Sequence, residues 1–139
     1  MLQNTRDFHA YVVENNIPMN ISESIKGYKV FKVPEIQEFE CGAQANILVM
    51  ITDDDLQAEI YLLNLLTVRE GKDKTAIYDY INRLNTQYPL STFFENEGKV
   101  NIRCTIPFNN NFNSKLILDM INYLRQTVDE EYGRLRHLC

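Results

Sequence analysis

Asp53-Asp54-Asp55 is a run of three hard oxygen ligands, the residue type that binds calcium. An EF-hand loop starting at Asp53 would need glycine at its sixth position and glutamate at its twelfth. Those positions hold Ala58 and Asn64. The triplet therefore predicts a solvated hairpin turn, whose like charges also discourage edge association. His9, His137 and Cys139 offer softer ligands. The histidines meet only if the terminal helices pack together, and two imidazoles with one thiol fall short of a tetrahedral zinc set. Surface positions are expected for both.

Covalent catalysis needs a nucleophile with a base and an orienting group. Cys41, Cys104 and Cys139 are odd in number and widely spaced, so they form neither a CxxC pair nor a disulfide framework. Cys104 alternates with apolar residues, which turns it inward as an inert thiol. With five glycines and no Gly-rich phosphate loop, dinucleotide binding has no support. These residues predict no catalytic site, no metal site and no cofactor, and the chain is expected not to be an enzyme. Asn82 and Asn85 are neighbours on a helix surface. They could contact a partner backbone, but bonds to the adjacent loop or strand are the expectation. Tyr11, Tyr61, Tyr78, Tyr80 and Tyr88 are candidates to line a peptide groove. An ordinary core edge is the expectation for most of them. No partner-binding residue is assigned.

The elements that would hold these residues follow from periodicity. Roughly Asn4 to Asn15 reads as a weakly amphipathic helix carrying Phe8, Tyr11 and Val12, ended by Asn16-Ile17-Pro18. Residues 18–27 read as a loop with a helical turn near Ser22-Glu23-Ser24. Tyr28 to Val33 is a strand that Pro34 confines to an edge or a bulge. Pairing resumes through Ile36 and Phe39, and Cys41-Gly42-Ala43 is a turn. Ala45 to Thr52 and Glu59 to Val68 are nearly continuous in apolar residues, which predicts central strands buried on both faces.

Asp73 or Thr75 can cap a helix whose Ile77, Ile81, Leu84 and Tyr88 share one face, and Pro89 stops it. A hairpin spans Thr92 to Pro107. In it Val100, Ile102, Cys104 and Ile106 alternate with polar residues, and Gly98 supplies a positive φ at the turn. The last helix, roughly Ser114 to Leu135, carries Ile117, Ile121, Leu124, Val128, Tyr132 and Leu135, with Gly133 weakening its end. The order α-β-β-β-α-β-β-α predicts an α+β fold, an antiparallel sheet packed with helices. Its core is expected at Ile47, Val49, Ile60, Leu62, Ile81, Leu84, Ile102, Cys104, Leu124 and Val128.

At 139 residues, with 45% apolar composition, residues 1–139 fit a single domain. The net charge of −5 repels phosphate backbones, so no nucleic-acid partner is expected. No apolar run reaches spanning length and the N-terminus lacks a signal-peptide core, which predicts a cytoplasmic protein without a membrane partner.

Residues 75–135 resemble the YbjN family, which shares the fold of type III secretion chaperones. The likeness rests on Asn82-Arg83-Leu84-Asn85, on the hairpin Asn96-Glu97-Gly98-Lys99-Val100, and on the acidic turn Val128-Asp129-Glu130-Glu131-Tyr132. Residues 28–68 match only as a three-strand pattern. The resemblance implies a bacterial cytoplasmic protein without enzymatic activity, and a chaperone-like acidic homodimer able to hold an extended client segment. The leading functional expectation is a non-catalytic interaction module, chaperone-like or regulatory, that self-associates or holds an unknown protein client. The alternative is a small-ligand sensor with an apolar pocket between sheet and helices.

Overall fold

The computed structural model describes residues 2–22 and 24–139. Its fold is α+β, with three helices and a seven-stranded antiparallel sheet. Helix α1 (Gln3–Glu14) leads to β1 (Asn20–Ile21), β2 (Tyr28–Lys32), β3 (Gln37–Glu38), β4 (Gln44–Thr52) and β5 (Gln57–Thr67). Helix α2 (Lys74–Gln87), β6 (Thr92–Asn96), β7 (Lys99–Pro107) and α3 (Ser114–Leu138) complete the chain. The sheet order is β1-β2-β4-β5-β7-β6, with β3 paired to the start of β4.

The expected helices and longer strands all form. Asp73, whose side chain accepts from the Thr75 and Ala76 amides, caps α2. Glu97 (φ 51°) and Gly98 (φ 79°) make the two-residue turn between β6 and β7, matching the primed turns that suit strand twist. Two short strands refine the expected order. Asn20–Ile21 pairs with Phe31 and Lys32 inside the region read as a loop. Pairing resumes after Pro34 at Gln37–Glu38. Ser22 and Ser24 are not helical, and Glu23 of the expected turn lies outside the described residues.

The expected double-sided burial of the central strands is overturned too. In β4, Ala45, Ile47, Val49 and Ile51 are buried, while Asn46, Leu48, Met50 and Thr52 between them are only half-buried, and in β5 Tyr61 and Leu63 are half-buried and Asn64 is exposed. The reason is where the helices lie. The ring of Phe8 on α1 meets Phe31 edge-on at 4.9 Å, and Phe31 pairs with Val49 on the buried face. Helix α3 packs on β5 and β7, and α2 on β6 and α3. All ten expected core residues are buried on this helical side or in the helices themselves. Among the described residues no helix lies over the other face of the sheet.

Candidate functional site

Strand parity defines the helix-free face. Register aligns Val30, Met50, Glu59 and Thr105 in one row across β2, β4, β5 and β7. The next row holds Lys32, Leu48, Tyr61, Arg103 and Thr92. Leu48, Met50, Tyr61, Leu63 and Phe94 are half-buried there, so the face presents a partly wetted apolar stripe interrupted by Lys32, Glu59, Arg103 and Thr105. Stripes of this kind, rimmed by polar groups, mark interaction surfaces.

Glu59 sits in the middle of that stripe and is only 8% exposed. Its Oε1 accepts a hydrogen bond of 2.8 Å from the Tyr61 hydroxyl, whereas its Oε2 is buried and lacks a partner in bonding geometry. The Tyr28 hydroxyl lies near enough for the Glu59 carboxyl to raise its pKa, first through hydrogen bonding and then through charge. Burial, followed by the bond to Glu59, raises Tyr61 as well. A buried carboxyl oxygen without a donor is costly, because it has left water without replacing that hydrogen bond. Beside it, Arg103 on β7 is exposed and stacks its guanidinium 5.5 Å from the Phe94 ring. Tyr61 and Phe94 meet edge-on at 6.4 Å, completing an aromatic rim. One face thus carries a buried acid approached by two tyrosine hydroxyls but with one oxygen lacking a bond in good geometry, an exposed guanidinium diagonally across from it, and half-buried apolar residues around them.

The residues singled out in the sequence are distributed elsewhere. Asn85 takes the architectural role expected of the asparagine pair. Its side-chain amide donates to the Phe93 carbonyl (3.1 Å) and its oxygen accepts from the Phe93 amide (2.7 Å). It acts as a one-residue strand on the free edge of β6. Asn82 is exposed, and its carbonyl accepts from the Thr86 hydroxyl. Of the acidic triplet, Asp53 and Asp54 are solvated as expected, but Asp55 is buried. It accepts from the Asn4 amide (2.7 Å), the Thr5 amide (2.9 Å) and the Thr5 hydroxyl (2.6 Å), and so caps α1 from the β4–β5 turn. Helix α1 needs this, because its own N-cap residue is Leu2.

His9 packs 6.3 Å from Phe31, and His137 borders a cleft between α2 and α3. Among the described residues no three His, Cys, Asp or Glu side chains converge on a point where a metal could bind. Cys104 is buried, and desolvation pushes its thiol up to about 11. Cys41 and Cys139 are raised by desolvation too. The tyrosines do not line one groove. Tyr61 joins Tyr28 on the open face, Tyr11 is half-buried on α1, Tyr78 is exposed on α2 beside Glu95, and Tyr80 of α2 and Tyr88 at its C-cap donate to Glu131 and Glu130 of α3.

The alternation of β7 turns Arg103 outward, as its sequence pattern predicts, but nothing local marks Glu59, a charge at the start of an apolar run, as buried on the open face. No helix among the described residues is long and apolar enough to cross a membrane. Comparison with protein-family models, curated proteins and solved structures finds no match.

Proposed function

We propose that this protein is a non-catalytic, cytoplasmic interaction module that works as a homodimer, joined through the helix-free face of its sheet. The carrying observation is Glu59, buried with an unpartnered oxygen amid the half-exposed residues Leu48, Met50 and Tyr61. A two-fold interface is self-complementary: the same patch must supply both halves of each contact. Arg103 lies one strand away from Glu59 on the same face. A second copy facing this sheet brings its Arg103 to the open oxygen of Glu59, and the contact repeats by symmetry. The apolar stripe is then covered on both copies. Three thiols without a disulfide suit a reducing compartment. The resemblance to the YbjN family supports the same class of protein, with a client segment held by the assembled dimer.

Light scattering at tens of micromolar protein tests the reading. The expected mass is twice that of the 16.3 kDa chain. Leu48→Asp places a charge in the stripe next to its cross-strand neighbour Lys32, which accommodates it in the monomer. That variant is expected to be monomeric with an unchanged far-ultraviolet circular dichroism spectrum. A monomeric wild type, or a dimer indifferent to Leu48→Asp, removes the sheet-face reading.

A further inference from the structure

We propose that the cleft between α2 and α3 binds a small amphiphilic carboxylate, an aliphatic chain ending in a single acid group. The cleft measures about 570 Å³, within the range of small-molecule sites. Ala76, Tyr80 and Arg83 face it from α2, at the three- and four-residue spacing of one helix face. Gly133, Arg134 and Leu138 face it from α3. The two guanidinium-bearing residues also border a neighbouring cleft of about 310 Å³, so they stand where the two meet.

Neither arginine is committed to an ion pair. The ion pairs among the described residues are Lys74–Glu95 and Lys115–Asp119. The Arg83 guanidinium lies 5.5 Å over the Tyr80 ring, which positions it without neutralising it. The acid beneath them, Glu131, already accepts the Tyr80 hydroxyl at 3.2 Å. Arg134 also reaches the Tyr80 hydroxyl through hydrogen bonding and charge, which leaves the other N–H donors of its fork for a ligand. Two guanidinium groups lining one cleft suit a carboxylate, which takes paired hydrogen bonds from guanidinium. Asp79 on the same helix face opposes a second negative charge, which favours a monoanion over a phosphate dianion.

Gly133 gives the site its room. It lies within α3, Ser114–Leu138, where glycine weakens a helix. A Cβ built there would meet nothing within 4 Å. No neighbouring atom therefore requires a glycine there, and its exposed backbone leaves the cleft open beside Arg134 and the apolar Leu138. The acid group sits at the arginines, and the chain runs along the glycine.

Titration of the full chain with octanoate, and separately with octylamine, tests this by calorimetry and by amide chemical shifts. Octanoate is expected to bind saturably, one per chain, with shifts confined to α2 and α3, while octylamine does not bind. Arg83→Gln and Arg134→Gln should each weaken octanoate by about tenfold or more. Gly133→Leu fills the cleft and should abolish binding while leaving the melting temperature equal or higher. Equal binding of octylamine, octanoate binding that survives both arginine changes or Gly133→Leu, shifts on the sheet face, or no saturable binding would each overturn the proposal.

Discussion

Asp55 shows how much a single side chain can carry at long range. Its carboxyl takes two backbone amides and one hydroxyl from the first turn of α1, fifty residues away in sequence. Asp55→Ala leaves the buried Thr5 amide and hydroxyl unpaired. It is expected to cost roughly 2–3 kcal/mol in a urea melt, the value for hydrogen bonds to a charged group. Amides early in α1 should lose exchange protection first, and a loss below half a kcal/mol (about the scatter of a surface change) would deny Asp55 this role. Leu84, 1% exposed, is a different kind of residue. Its truncation to alanine removes only packing, and roughly 2–5 kcal/mol should go with it. The two sites differ in legibility for a physical reason. Leu84 is announced by its helical period, whereas the role of Asp55 depends on a partner that only the tertiary fold brings near.

At the scale of elements, the hairpin was the most legible part, because Val100, Ile102 and Cys104 are buried while Arg103 and Thr105 stay in water, although Asn101, expected in water, is buried and its side-chain oxygen accepts from the Asn64 amide at the irregularity of β5. The alternation is chemical as well as geometric. In β4 the outward residues Leu48 and Met50 are apolar too, so the sequence pattern hides the parity and suggests two buried faces. Helix α2 illustrates a link that pattern cannot show, since Tyr80 and Tyr88 tie it to α3 through acids of the opposite helix. Burial and the bond to Glu130 push the Tyr88 hydroxyl from 10.0 up to about 12. A raised folded pKa means that the native state holds its proton longer than the unfolded chain. The stabilisation is fully present below pH 10 and is lost as pH rises through about 12. Denaturant melts of wild type and Tyr88→Phe should therefore converge across that window. Parallel pH curves for the two proteins would show that Tyr88 does not bind its proton more tightly in the fold.

On the scale of the whole molecule, the helices among the described residues lie on one side of the sheet, and the other side is free either to face water, as antiparallel sheets can, or to take a partner as proposed. The stripe of Leu48, Met50, Tyr61 and Leu63 stays half-wetted in the monomer, and the free oxygen of Glu59 keeps its desolvation cost. Both are relieved together if a second copy binds. Association that selects the native state must raise apparent stability by mass action, so the melting temperature should climb with protein concentration. Arg103→Glu is the most discriminating variant. Arg103 is exposed and forms no ion pair among the described residues, but it stacks on Phe94, touches Tyr61 electrostatically and lies diagonally across from Glu59 of its own chain, so the variant's monomer is expected to melt somewhat lower than wild type. In the dimer, however, it would set an acid against Glu59 of the facing copy, twice by symmetry, and like charges in a desolvated interface are strongly unfavourable. The expected result is a melting temperature that no longer depends on concentration, offset from wild type at high dilution only by the monomer's own loss of the Arg103 contacts. Should Arg103→Glu melt with the same concentration dependence as wild type, the pairing of Glu59 with Arg103 across the two-fold axis would be wrong, whatever the oligomeric state.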